Sequence, residues 1–464
     1  MALNPFMNPL FLLRIAQSYI SDVDRLRQVD DKQLKKYQDK ALQQLVKYAY
    51  TIPLYHEKYK KAGIHPDNIK GIDDIQKLPF ITKDDLRNNY PDGIIPKGFD
   101  KKHNFLLSTS GSTGKPVFIF VDAFSAIKSL IAFVRSLRTY GGNWQKTRIV
   151  MVIDCSVGSI EHTIFGQSTL PFLSKFMSLK NIKYIDLSVK PEKIIKEIDE
   201  FNPKILGSDP NMLRKLAFLK NNGLGENIKL DCIVSGGSVL DSYTRNYVEN
   251  CFNTKIMDVY ATTEAGPLAF QCTKGKDFHV NSDFVYLEFL DEKDNPVPLN
   301  KTGRLVVTKL YGKGTPIIRY RGIEDFVTPT SKKSCKIPGQ NLKQIDGRST
   351  DLIILPNKKL LSPLTLTGIP AKIMEEYKTY KIKQFQIIQQ TLKEIEVLIV
   401  IDEKLRNKGP SVDKILKELK KRFSDKIGNG INIVIKEVDE IQKDDRLDYV
   451  KVVISNVNHK SIKK

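Results

Sequence analysis

The chain has 464 residues, more than one compact core accommodates, so two or three domains are expected. Hydrophobic residues make up 41% and charged residues 27%, the balance of a soluble globular protein, and no run of about 18 apolar residues is present to span a bilayer. Lysine and arginine number 74 against 53 acids, a net charge of +21 that suits anionic partners. The basic residues are scattered lysines without an aromatic-interleaved block, so nucleic-acid binding is not expected.

The first twenty residues, MALNPFMNPLFLLRIAQSYI, are apolar but lack a basic start and a small-residue cleavage site. Pro5 and Pro9 break the run early, and a secretory signal is not expected. Leu42, Leu45, Val46, Ala49 and Tyr50 recur at helical spacing and predict an amphipathic helix. IPLYHEKYKKAGI and KLPFITKDDLRNNY read as short helices set apart by prolines.

From about residue 105, apolar strands alternate with helices. RIVMVIDC, PKILGSD and LDCIVSGG are buried-strand candidates, and DPNMLRKLAFLKNNG is a helix ending on Gly223. This alternation argues a mainly parallel α/β sheet with helices on both faces. After about residue 280, FVYLEFLD and GRLVVTKLY alternate apolar and polar residues between turns, as antiparallel hairpins do. The last hundred residues hold strand-like KEIEVLIVID and GINIVIKEV around a helix with Val412, Ile415, Leu416, Leu419 and Phe423 on one face. They predict a small C-terminal α+β domain, 351–464, after a large N-terminal domain, 1–350. No internal repeat is seen. The five cysteines, Cys155, Cys232, Cys251, Cys272 and Cys335, are odd in number and irregularly spaced, which favours a reducing, cytoplasmic setting over a disulfide framework.

LLSTSGSTGKPV, residues 106–117, reads as an anion cradle. Gly111 and Gly114 turn backbone N–H groups inward, Ser108, Thr109, Ser110, Ser112 and Thr113 add hydroxyls, and Lys115 adds charge. Pro116 follows Gly114-Lys115 where a Walker A loop needs Ser or Thr, so a P-loop NTPase is excluded. By composition alone, a polar connector between strands is equally compatible.

The order of motifs is more specific. After this loop come IVSGGSVL (233–240), VYATTEAG (259–266), TPIIRYRGIEDF (315–326) and IDGRSTDLI (345–353). Together they resemble the adenylate-forming superfamily of acyl-CoA synthetases and luciferase. YHEKYKKAGIHPDNIKGIDDIQKLPFITKDDLR, ILGSDPNML and TPIIRYR are most similar to its phenylacetate–CoA ligase and capsule-biosynthesis-like branch. The resemblance covers roughly residues 30–455. It implies a large adenylating domain of mixed sheets flanked by helices, with a mobile C-terminal domain turning at about Thr350–Asp351. It also implies that Gly236, Gly237 and Ser238 line the adenine, with Tyr260 stacked near it. Thr263 would bond the α-phosphate, Glu264 would help hold Mg2+, and Arg348 would lie near the nucleotide. The ribose acid is Asp325 or, because RYRGIED has one residue more than the family spacing, Glu324.

The family's catalytic lysine has no direct counterpart. EIQKDDRLDYVKVV puts Arg446 at its position, with Lys443 as the alternative. Arginine keeps the charge but not the compact ammonium. Some branch members bind zinc through a Cys, a His and a later Cys-x-Cys. Cys272, His279 and Cys335 remain here, but Ile337 takes the fourth place, one short of a closed structural site, so a decayed site without zinc is expected.

The function implied is MgATP-dependent adenylation of a carboxylic acid, aryl or related, followed by transfer to coenzyme A. The acid's pocket would draw on 154–167 and 235–240. Adenylyl transfer to a non-coenzyme A acceptor of the deazaflavin-cofactor type, or a family member reduced to binding, are the alternatives. The sequence leaves a homodimer open.

Overall fold

The structure is a computed structural model that describes residues 8–109, 116–155, 180–348, 353–357, 360–361, 363–377, 379, 381–428, 430–442 and 452–457. It divides into two compact units, one built from 1–237 and 252–344 and the other from 238–251 and 345–464.

The first unit opens with helices. Pro9, expected to break the N-terminal apolar run, instead starts α1 (Pro9–Asp22). Its missing N–H is one that a first-turn residue leaves unpaired in any case, and Asn8 Oδ1 caps the turn at Leu10 N. Next come α2 (Arg25–Gln28), α3 (Asp31–Ala49), α4 (Pro53–Lys61) and α5 (Lys83–Asn89). Asp30 and Gln33 form a capping box on α3, whose buried stripe includes Leu34, Leu42, Leu45, Val46 and Ala49.

Strands β1 (Phe105–Ser108) and β2 (Phe118–Val121) form an antiparallel hairpin. After α6 (Ala123–Thr139) come β3 (Ile149–Ile153), β4 (Ile182–Asp186), α7 (Pro191–Phe201), β5 (Ile205–Ser208), α8 (Pro210–Asn221), β6 (Cys232–Ser235), α9 (Ser242–Phe252) and β7 (Ile256–Thr262). The antiparallel run is β8 (Gly266–Gln271), β9 (Phe278–Val280), β10 (Val285–Leu290), β11 (Gly303–Lys309), β12 (Asp325–Thr330) and β13 (Asn341–Arg348). One eleven-stranded sheet results, in the order β10-β11-β12-β13-β9-β8-β7-β6-β5-β3-β4.

Its two halves follow from the two sequence textures. Strands β4, β3, β5, β6 and β7 are parallel, and all four residues of β5 and of β6 are buried, as expected of strands covered on both faces. Leu137 of α6 packs with Trp144, Ile149, Ile205, Cys232 and Val234. The order reverses between β3 and β5, which makes the carboxyl ends of those strands a topological switch point.

In the second unit, β14 (Ile353–Ile354) pairs with β15 (Leu360–Leu361). Helices α10 (Pro363–Glu376) and α11 (Val412–Ile427) accompany a four-stranded sheet of β16 (Ile382–Thr391), β17 (Glu394–Ile401), β18 (Asn432–Glu437) and β19 (Val453–Ser455), in the order β18-β17-β16-β19. This is the small α+β domain read from the sequence. On α11, Ile415, Leu419, Phe423 and Ile427 are buried, so the stripe runs one turn further than predicted, while Val412 and Leu416 are only half-buried. Buried Gln389 joins three strands: its amide bonds Ile354 N and O at 2.9 and 2.6 Å, and its Oε1 accepts from Ser455 Oγ at 2.8 Å.

Candidate active site

The parallel strands deliver their carboxyl ends to one edge. At the end of β3, Cys155 N donates to Asp186 Oδ2 at 3.0 Å. Of the predicted acyl-pocket residues 154–167, Asp154 and Cys155 are described and 156–167 lie outside the described residues. After β5, Asp209 caps α8 by accepting from Asn211 N at 2.8 Å, and burial pushes its carboxyl above the usual range.

Gly236 and Gly237 follow β6 for separate reasons. A Cβ at Gly236 would meet Val259 Cγ2 of β7 at 2.9 Å, and Gly237 is left-handed at φ 85°. The turn therefore passes flat against β7, leaving backbone where a side chain would stand. Ser238, exposed, begins the stretch that belongs to the second unit.

Strand β7 carries Tyr260 near its end and turns into β8 through Thr263-Glu264-Ala265, with Thr262 opposite Gly266. Thr263 is half-buried in the turn and Glu264 is buried. Glu264 Oε1 accepts from Tyr320 Oη at 3.0 Å. Burial, reinforced by the Glu264 carboxylate, drives the Tyr320 phenol far above its ordinary pKa, so it remains a donor at any physiological pH. Nothing in the motif reading singled out Tyr320, although it stands inside TPIIRYR.

Asp325 and Glu324 part company. Asp325, buried at the start of β12, accepts from Tyr260 Oη. Glu324 takes a left-handed φ of 63° and pairs outward with Lys83 Nζ at 2.7 Å. The left-handed turn takes up the additional residue of RYRGIED and leaves Asp325 beside Tyr260.

The predicted anion loop falls between β1 and β2. Ser108 ends β1; Thr109 N donates to Val117 O and Val117 N to Thr109 Oγ1, both at 3.0 Å. Ser110, Gly111, Ser112, Thr113, Gly114 and Lys115 lie outside the described residues. Strand β2 is tied to the TPIIRYR segment: Phe120 N donates to Thr315 Oγ1 at 3.0 Å, and Thr315 N donates to Phe120 O at 2.9 Å. Gly314 is required there, because a Cβ would lie 2.3 Å from Phe120 O. Further along, Arg319 forms a buried bidentate pair with Glu288 at 2.8 and 3.0 Å and donates to the carbonyls of Gln76 and Leu78. TPIIRYR is thus a brace that reaches the β1–β2 hairpin, the N-terminal segment and Glu264. Arg348 closes β13, its side chain outside what is described; Lys443, Arg446 and the expected hinge at 349–351 lie outside the described residues as well.

These residues agree with a family model described as "AMP-binding enzyme", which matches residues 65–311, more than half of the chain. The chain belongs to the AMP-binding enzyme family. A model of the CapK C-terminal domain matches residues 361–456. Among curated proteins, this family member is 27% identical over 349 residues to phenylacetate-coenzyme A ligase of Aromatoleum evansii, covering 72% of this chain and 74% of that one. It is 24% identical over 422 residues to protein CapK of Staphylococcus aureus, covering 88% and 87%. The branch is therefore the phenylacetate–CoA ligase-like and CapK-like one. Among solved structures, 2-hydroxyisobutyryl-CoA ligase in the postadenylation state with 2-HIB-AMP matches with a TM-score of 0.76 at 17% identity, over 93% of this chain and 91% of that one. That likeness is one of fold.

A second cluster lies at the other end of β8. Cys272 stands six positions beyond Gly266, about 20 Å along a strand, so it is remote from Glu264. The ligand atoms of Cys272, His279 and Cys335 all lie within 4.8 Å of one another. His279 Nε2 is 3.0 Å from Cys335 Sγ, and its Nδ1 is 3.1 Å from Asn341 Oδ1. Nδ1–H donation to Asn341 leaves the Nε2 lone pair facing the thiols. Burial holds the imidazole below its ordinary pKa, in the neutral form that binds metals. Two thiols and an oriented imidazole fit a thiophilic ion.

Proposed function

We propose that the chain adenylates a carboxylic acid with MgATP and transfers the acyl group to coenzyme A. The observation that carries this reading is the pairing of Tyr260 with Asp325 and of Tyr320 with Glu264 at the end of β7, beside the Gly236-Gly237 turn. The curated phenylacetate-coenzyme A ligase supports it by name and by similarity along most of both chains.

In the first half-reaction a carboxylate oxygen of the acid attacks the α-phosphorus of ATP. The bond to the β-phosphate oxygen breaks and pyrophosphate leaves. Asp325 receives the ribose hydroxyls, an assignment that a bidentate carboxylate suits. The ring of Tyr260 lies against the adenine, with Gly236 and Gly237 offering flat backbone. Thr263 bonds the α-phosphate, and the 108–115 loop holds the β- and γ-phosphates. Glu264 is a hard oxygen donor suited to magnesium, which when bound offsets the triphosphate charge. Tyr320 orients Glu264 by occupying one of its oxygens. In the second half-reaction the thiol of coenzyme A gives its proton to solvent, its sulfur bonds the acyl carbon, the bond from that carbon to the phosphate oxygen breaks, and AMP departs.

The reading assigns the second step to a C-terminal domain, 351–464, turning at 349–351, and assigns the cationic role of the family lysine to Arg446, with Lys443 as the alternative. The acid is aryl or related. The setting assigned by this reading is cytoplasmic. Any zinc held by Cys272, His279 and Cys335 serves structure, not either step.

A panel of carboxylic acids, followed by pyrophosphate release with and without coenzyme A, tests the proposal. Acid-dependent release together with formation of the acyl thioester is expected; release with no thioester from any acid would reject the ligase reading.

A further inference from the structure

Lys309 ends β11 with its side chain inside the first unit, only 8% exposed. The ring of Tyr311 lies 4.7 Å from its ammonium, and Asp122, which caps α6, is the nearby acid. Asp122 does not pair with it, because that carboxylate is taken up elsewhere. Its Oδ1 accepts from Phe124 N and Ser125 N at 3.0 and 3.1 Å, and its Oδ2 accepts from Ser125 Oγ and Lys313 N. The other buried cations of this region are matched: Lys128 pairs with Asp22 and Arg135 with Asp283, both at 2.7 Å. Among the described residues, no group accepts a hydrogen bond from Lys309 Nζ and no acid forms an ion pair with it. Burial lowers its pKa to about 8, so it still carries its proton at neutral pH. A buried charge without a counter-charge is costly, and a ligand that brings the counter-charge offsets that cost.

Lys309 also stands at the reacting edge of the sheet. Leu137, near the end of α6, packs with Ile149, Ile205 and Cys232, the first residues of β3, β5 and β6. Helix α6 therefore runs against those strands, and its first turns, about 18 Å back along its axis, lie toward their carboxyl ends. There Ser129 Oγ and Tyr311 Oη are 3.3 Å apart, and both abut Gly266, where a Cβ would stand 3.1 and 3.2 Å from them. Gly266 follows Glu264 by two residues and pairs across the turn with Thr262. One tyrosine ring thus separates Lys309 from the turn that carries Thr263 and Glu264. With that ring between, the ammonium suits an anion further along the acid than the carboxylate that reacts.

We propose that Lys309 receives a second anionic group on the substrate, so that the acid is a dicarboxylate or another acid with a distal negative charge. Lys309 is then a specificity residue, which touches the substrate but not the reacting atoms. The inference rests on the adenylation reading for the place of the first carboxylate, and its test includes a binding measurement that does not depend on turnover.

The test uses the full chain and matched acids that differ by a distal carboxylate: benzoate against terephthalate, and butyrate against glutarate. Binding is read first, as the rise in unfolding temperature that each acid gives. A dicarboxylate should raise it in the wild type, and more than its monocarboxylate partner does. Lys309→Met keeps the buried volume without the charge, and should lose that rise when measured against its own baseline. Exchange of pyrophosphate into ATP then reads the reaction. In the wild type kcat/KM for a dicarboxylate should exceed that of its partner by at least about 30-fold, and Lys309→Met should abolish the preference. Protection without exchange would keep the subsite and reject the adenylation reading. Three results would overturn the subsite: no protection by either dicarboxylate, a wild type that prefers the monocarboxylates, or a preference that Lys309→Met leaves in place.

Discussion

Tyr260 and Asp325, 65 residues apart in sequence, share a buried hydrogen bond in which the phenol donates to the carboxylate. The bond selects between two neighbouring acids, because Glu324 is turned away and paired with Lys83. Asp325→Ala should raise the KM for ATP about 10- to 100-fold, the scale of a charge-assisted hydrogen bond. Glu324→Ala should leave KM within about twofold, as befits loss of a partly exposed pair. Initial-rate kinetics at varied ATP read both; the opposite ranking would move the ribose role to Glu324.

In the proposed reaction Tyr320 acts through Glu264, whose Oε1 it donates to. Tyr320→Phe removes the donor that fixes Oε1 while keeping the buried ring. A fall in kcat of about fivefold is expected, equivalent to the roughly 1 kcal/mol of one hydrogen bond, together with a higher magnesium requirement. A merely structural role would leave the magnesium titration unchanged.

The pair Arg319–Glu288 holds the brace. Burial pushes the Glu288 carboxyl up against the pull of Arg319, so removing the guanidinium strands an acid in the core. Arg319→Met should destabilise by about 3–5 kcal/mol, and the double change with Glu288→Leu should recover most of that. Thermal unfolding of the single and double variants measures it.

Lys309 sits buried beside the Tyr311 ring, and burial lowers its pKa to about 8. The folded chain then binds the proton less tightly than the unfolded chain does. Below about pH 8 the folded state carries the full cost, and that cost falls away as pH rises toward the ordinary value of 10.5. Lys309→Met should therefore stabilise by about 2–3 kcal/mol at neutral pH. Its advantage over wild type should shrink as pH rises from about 7 to about 10, as read by urea unfolding at each pH. An advantage constant with pH would refute the linkage.

Much of this was legible in the sequence. Period-two and buried-strand patterns located β3, β5, β6, β10, β11, β17 and β18, and the ordered motifs named Tyr260, Glu264 and Asp325. What stayed hidden depends on tertiary partners. Nothing local to Tyr320 announces that its hydroxyl meets Glu264, 56 residues away. Gly314-Thr315 reads as a turn, yet it is the edge partner of β2. Pro9 reads as a breaker because position relative to a helix start is invisible until the cap forms. Helix α9 carries none of the motifs, and its Tyr243 donates to Ile382 O at 2.8 Å, which counts it with the C-terminal sheet.

Exchange of labelled pyrophosphate into ATP isolates the first half-reaction and decides the proposed chemistry. Exchange should appear only with a suitable carboxylic acid, should not require coenzyme A, and should fall by at least about 100-fold in Glu264→Gln. No exchange across a broad acid panel, with Glu264→Gln indistinguishable from the wild type, would contradict it.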